Sequence, residues 1–226
     1  MSAARSGGVG AIVFAVAGLV WFATELTPPL MGYDDTDSAV VMIGFLQDHP
    51  WVYATGGLAL LVMAGALVPA ALGIAGLVAD GRDSLAARCS AVAGCFAAAF
   101  FGLQGVLRLG GGPLLYIADL DPAAGRAGYT AVQLLGVQGA LQAALMSLCA
   151  WAVLAAMVGR TRRTLPRAIV WTAVVPALRA LLLLAGPFGI LPAELWLLAI
   201  PLIPLTLLWC GALGIAVVVR TRPVEP

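Results

Sequence analysis

Six apolar runs set the limits on what this chain can fold into. A helix that crosses the hydrocarbon core of a bilayer needs roughly 20 predominantly apolar residues, because that core is about 30 Å thick. Six segments meet the requirement, at approximately Gly8–Pro28, Trp51–Val78, Ala91–Arg108, Tyr129–Val158, Ala168–Gly186 and Glu194–Val219. They predict an all-α polytopic membrane protein, one six-helix transmembrane domain over residues 1–226. The first run, with Arg5 ahead of it, superficially resembles a secretory signal. No polar stretch with small residues at a cleavage site follows, so it is expected to remain as a helix.

Composition closes off the alternatives. Hydrophobic residues make up 62% of the chain and charged residues 10%, with a mean hydropathy of +1.02. A soluble domain carries roughly 25% charged residues, so this exterior must face lipid. The same figures exclude a disordered chain and a disulfide scaffold. A formal net charge of +1 offers nothing to a phosphate backbone, which excludes a nucleic-acid partner. The four cysteines, Cys89, Cys95, Cys149 and Cys210, lie inside apolar runs without a CxxC spacing. They are read as small buried hydrophobes.

The arginines supply an orientation. Arg5, then Arg82 and Arg88, then Arg160, Arg162, Arg163 and Arg167, then Arg220 and Arg222 fall at alternate ends of successive runs. The intervening loops carry Asp34, Asp35, Asp37, Asp48, Asp119 and Asp121, with only Arg126 against the trend. Basic loops stay on the cytoplasmic side, which predicts two cytoplasmic termini and a multi-pass protein of the cell (inner) membrane. The first outer loop, Ser38–His49, is apolar but too short to span. It is expected to form a short interfacial helix, capped by Asp37 or Ser38 and followed by a span starting at Pro50. The second and fourth runs exceed what a bilayer requires, so tilt is expected. Pro69 and Pro176 predict kinks. Gly94, Ala98 and Gly102 form a small-residue stripe for close helix packing, within the bundle or between copies.

Ionisable and amide side chains at membrane depth are costly and mark candidate sites. Arg179 lies about 18 Å along its helix from Arg167 at 1.5 Å per residue, past the midplane toward the outer leaflet. It is either a structural or snorkelling cation or a fixed charge for an anionic or carbonyl group. Glu25 sits at the outer end of the first run, where a carboxylate opposes the helix dipole and needs an arginine or a proton. Glu194 opens the last run, where an acid suits the dipole. Gln104 and Arg108 share a face at i,i+4, as do Gln138 and Gln142. The shared depth of the ionisable groups predicts one polar pocket in the outer half of the bundle. Glu25, Arg108 and Arg179 would meet there, walled by Trp21, Phe22, Phe101 and Trp196.

Other chemistries lack their residues. The single histidine, His49, excludes bis-histidine haem ligation, and no Ser-His-Asp arrangement can be built around it. Asp80-Gly81 with Ala87-Arg88 lacks the spacing and further aspartates of a CDP-alcohol phosphotransferase. Gly110-Gly111-Gly112 precedes a proline rather than a phosphate-binding helix start. Few spans carry an interior acid and no inverted repeat is visible, which argues against a secondary transporter. No metal site and no cofactor are expected.

The layout of a first span, an outer loop ending in LQDHPWVYATGG (46–57), a long second span and a fifth span opening with LPRAIVW (165–171) resembles an uncharacterised family of bacterial six-span membrane proteins. The resemblance implies the six-span fold and brings no activity, so no catalytic residue carries over. Three functions remain open. One is binding or handling of a lipophilic small molecule in the outer pocket, with Arg179, Arg108, Gln104, Gln138, Gln142, Trp21, Trp196 and Glu194 as contacts. Another is an enzyme acting on an isoprenoid or lipid by acid-initiated isomerisation or cyclisation, with Glu25 as the acid. The third is an accessory or scaffold subunit. The expected partners are the bilayer, that lipophilic molecule, and a second copy or a membrane partner subunit.

Overall fold

The structure, a computed structural model, describes residues 2–33, 39–80, 84–185 and 197–221. Every element among them is helical, as expected where backbone polar groups must be satisfied without water. Six helices are long and apolar enough to cross a membrane. The chain is a multi-pass membrane protein.

The first span is α1, Ala3–Leu30. The Ser2 hydroxyl opens it by accepting from the Arg5 backbone N–H at 3.3 Å. A short helix, α2 (Ala39–Asp48), follows where the apolar loop segment predicts one. The expected caps Asp37 and Ser38 lie outside the described residues. Pro50 then occupies the first turn of α3, Pro50–Ala79, a position where its missing N–H breaks no bond. At 30 residues α3 is about 45 Å long, and it runs through Pro69 without interruption. The third span is α4, Leu85–Leu109, capped by Ser84.

Two helices that the hydrophobic pattern does not predict come next: α5 (Gly112–Leu120) and α6 (Pro122–Gln133). Asp121 nucleates α6, accepting from the Ala123 and Ala124 N–H groups at 2.9 and 3.2 Å. The helix continues through a π-helical stretch, Leu134–Leu141, into α7, Gln142–Arg162. The fourth span is therefore part of a 41-residue rod, Pro122–Arg162, and begins earlier than its apolar run. The fifth span breaks where Pro176 predicts: α8 (Arg167–Thr172) and α9 (Val174–Ala185) meet at Ala173, because Pro176 cannot bond to the Thr172 carbonyl. The sixth helix, α10, starts at Leu202 and ends at Arg220, later than the expected Glu194. Ahead of it is a 3₁₀ turn, Leu197–Ala199, with Pro201 between the two.

The spans form a ring in chain order. α1 packs on α3, α3 on α4, α4 on α7 and α7 on α9, and α10 closes the ring against α9 and α1. Phe14, Leu60, Met63, Leu67, Phe101, Leu148 and Trp151 are fully buried between them. The α1–α3 contact is backbone to backbone near Gly7 and Gly73. A Cβ on Gly7 would lie 2.9 Å from the Gly73 Cα, so no larger residue fits there without separating the helices. The Gly94–Ala98–Gly102 stripe faces into the bundle, with Gly94 against Ala71 of α3 and Trp151 of α7. Of the cysteines, Cys149 and Cys210 are buried, Cys95 is half-buried and Cys89 is exposed, which corrects the reading of Cys89 as a core residue. Arg5, Arg88, Arg160, Arg162, Arg163, Arg167 and Arg220 gather at one end of the ring. Glu25, Asp48, Asp119 and Asp121 gather at the other.

A polar cavity at the acidic end of the bundle

At the acidic end the ring opens. The penultimate turn of α1 brings Thr24 and Glu25 beside the first turns of α3 and the last turn of α4. Arg108 of α4 forms an ion pair with Glu25 through Nη2 and Oε1. The Arg108 side chain is 8% exposed and that of Glu25 33%, so the pair is set well into the protein but not sealed. The guanidinium carbon also lies 5.5 Å from the centroid of the Tyr53 ring, within the range of a cation–π contact. Gly56 makes room for this arrangement, since a Cβ there would fall 2.7 Å from Arg108 Nη1 and 2.8 Å from Thr24 Oγ1. The Thr24 hydroxyl itself donates to the Trp21 carbonyl at 2.7 Å.

The pair forms one wall of a cavity of about 420 Å³, within the size range of small-molecule sites. Its polar lining includes Tyr53, Tyr129, Thr130, Gln133 and Gln138. Its apolar lining includes Pro28, Met42, Leu46, Leu134 and Val137. α2 forms the roof. Phe45 and Leu46 pack with Val52 against Tyr33, Tyr53 and Tyr129, and Gln47 Nε2 donates to Asp119 at 2.7 Å, tying α2 to α5. On the opposite wall the Gln133 amide donates to the Tyr129 hydroxyl at 2.6 Å.

The cavity gathers some of the residues expected in one pocket and not others. Glu25, Arg108 and Gln138 line it. Gln104 is buried one turn deeper, its Oε1 against Gly136 in the π-helical stretch. Gln142 is half-buried on α7 and does not line the cavity. Gln142 follows Gln138 about one turn further into the bundle, beyond the depth the cavity reaches. Trp21 and Phe101 are core residues rather than walls: Trp21 packs edge-on against Phe22 at 6.5 Å and Phe101 against Phe14 at 5.7 Å. Trp196 and Glu194 lie outside the described residues.

Arg179 does not join Glu25 and Arg108. It is 1% exposed on α9, within electrostatic reach of Cys149 on α7 and Cys210 on α10. Among the described residues it pairs with no carboxylate, and its Nε and Nη1 have no hydrogen-bond acceptor. The expectation that three ionisable groups satisfy one another therefore reduces to a pair plus a separate cation. α9 packs between α7 and α10, whereas Glu25 and Arg108 stand on α1 and α4, so Arg179 faces a different part of the bundle.

Tyr53, Tyr129, Thr130 and Gln133 were not singled out by sequence reading. Tyr129 and Gln133 carried a signal, an i,i+4 polar pair at the start of the fourth run. Tyr53 carried none, because one tyrosine near a span end is ordinary for an interface residue. Among the described residues no group of three or more His, Cys, Asp or Glu side chains is placed to hold a metal ion.

Fold and cavity together define a multi-pass helical membrane protein with an amphiphilic cavity at one end of its bundle. Compared with known proteins, the chain matches no family model, no curated sequence and no solved structure.

Proposed function

We propose that this protein binds a lipophilic small molecule in the cavity beside Glu25 and Arg108. The observation that carries the reading is the mixed lining: one charged pair, two tyrosines and two amides border the same space as methionine, leucine and valine side chains. Such a lining matches a molecule with a polar group on an apolar body, because few convergent polar groups fix orientation while apolar contact supplies area. The separation of arginines from acids supports an orientation with the cavity on the outer side of a bacterial inner membrane and both termini cytoplasmic. The likeness of segments 46–57 and 165–171 to an uncharacterised six-span family is compatible with this reading and adds no chemistry to it.

The enzyme reading has weaker support. An acid-initiated isomerisation needs a free, protonated carboxyl in an apolar setting, whereas Glu25 is already engaged by a guanidinium. The scaffold reading draws support from Arg179 alone, a buried cation that does not line the cavity beside Glu25 and Arg108.

Native mass spectrometry of the protein in mild detergent, with lipid extraction of the same sample, tests the proposal. The expected result is a stoichiometric lipophilic ligand on the wild type. The double substitution Glu25→Gln with Arg108→Gln, which keeps the wall polar and neutral, is expected to lose it. A clean unliganded mass for the wild type overturns the proposal and moves support to the accessory-subunit reading.

A further inference from the structure

We infer that the cavity takes only the head of its ligand, that the ligand's hydrocarbon tail lies in a second recess running down the α1–α3 pair, and that the head carries no net charge. The ligand class is then a membrane amphiphile. This rests on the binding function proposed above and deepens it.

The second recess measures about 480 Å³ and is lined by Val13, Val16 and Val20 of α1 and by Leu58 and Val62 of α3, with Thr55 as its polar residue among the described ones. Those valines and Leu58 are exposed at the bundle surface, on two helices that span the membrane, so hydrocarbon covers them. The recess and the cavity occupy successive turns of the same two helices. On α1, Val16, Val20 and Thr24 follow at i,i+4 on one face; Val20 lines the recess and Thr24 the cavity. On α3, Thr55 lines the recess and Val52, one turn earlier, the cavity. From Ile12 to Val20 the recess extends about 12 Å along α1, long enough for much of one acyl or prenyl chain. A chain leaving the cavity past Thr24 and Val52 therefore meets an apolar track within one turn.

The head follows from charge balance. Among the described residues, the charged groups lining the cavity are one cation and one anion, paired with each other. A head with a net charge would leave one charge uncompensated in a low-dielectric site. A zwitterion, with its cation toward Glu25 and its anion toward Arg108, or a neutral head donating and accepting through hydroxyls, matches the pair, the tyrosines and the amides.

Photolabelling in dodecyl maltoside tests this, with three probes carrying a diazirine midway along one chain: phosphatidylethanolamine, diacylglycerol and phosphatidylglycerol. The expected result is cross-linking to 13–20 and 58–62 by the first or second probe, which also tells a zwitterionic head from a hydroxyl one, and weaker cross-linking by the anionic third. Glu25→Gln with Arg108→Gln should lower that labelling about fivefold, the effect of about one membrane-buried hydrogen bond. Leu58→Trp, which touches no cavity residue, should also lower it in a protein that retains its fold. Labelling of the recess that is unchanged in the Gln/Gln variant, or strongest with phosphatidylglycerol, overturns the inference. The cavity reading survives that outcome if the wild type still carries a ligand that the Gln/Gln variant loses; a wild type with no ligand removes both.

Discussion

Arg108 and Arg179 are the same side chain buried to nearly the same degree, 7% and 1% exposed, in opposite surroundings. Arg108 ends its helix beside a carboxylate, lies over a tyrosine ring and borders an open space. Arg179 lies in mid-helix among thiols, aliphatic side chains and no acid among the described residues. Burial alone therefore does not distinguish a site from a structural oddity. The difference lies in what the protein provides around the charge. At Arg108 it provides a counter-ion, an aromatic face, a glycine for clearance and room for a further molecule. At Arg179 it provides only enclosure.

The sharpest way to break the comparison is to remove the cation at the cavity. Arg108→Met leaves Glu25 without its partner in a largely desolvated setting. Removing one member of such a pair strands the other, and because Glu25 is a third exposed the expected loss is about 2 kcal/mol rather than the full buried-pair value. In a chain of this size that lowers the unfolding midpoint by about 4–8 °C. Adding Glu25→Gln should recover most of it, and a double variant as unstable as Arg108→Met would show that the arginine acts through packing instead.

A smaller effect tests whether Gly56 serves the guanidinium. The Cβ of Gly56→Ala would meet Arg108 Nη1 and Thr24 Oγ1 inside contact distance. The flexible guanidinium end can yield, so the expected loss is about 1 kcal/mol, at the low end for overpacking. The informative quantity is coupling. In the Glu25→Gln, Arg108→Gln background the shorter amide relieves one of the two contacts and Thr24 Oγ1 remains, so the same alanine should cost less, a coupling of about 0.5 kcal/mol by double-mutant cycle. An equal loss in both backgrounds would assign the clearance at Gly56 to Thr24 instead.

The same contrast separates what sequence carries from what it does not. The six spans are legible because the bilayer imposes a length on each, and α2 because its apolar stretch is too short for that length. The ends of the spans are less legible. Pro122–Gln133 is too polar to read as membrane helix, yet Asp121 and Pro122 start a helix there that runs unbroken into the span. Glu25 and Arg108 could be matched because the first and third spans both end on the same side of the bundle. Arg179 was grouped with them on depth alone, and depth does not fix which side of a helix faces which neighbour. Gln138 and Gln142 differ in depth, and apolar periodicity does not say how deep an open space reaches, so the absence of Gln142 from the cavity was not readable.

The smallest expected effect belongs to Arg179, and it is the most discriminating. A buried guanidinium whose Nε and Nη1 lack acceptors carries a desolvation penalty that no described group offsets, and replacing buried charges by apolar residues of similar volume is often neutral or stabilising. Methionine suits the site because it is unbranched and fills irregular gaps beside sulfur and aliphatic neighbours. Arg179→Met is therefore expected to leave the unfolding midpoint within the range that about 1 kcal/mol produces, and to leave ligand retention unchanged. A loss larger than that of Arg108→Met would mean that Arg179 holds an acceptor worth more than Glu25 is to Arg108. The enclosed arginine, not the cavity one, would then be the position where the bundle concentrates its chemistry.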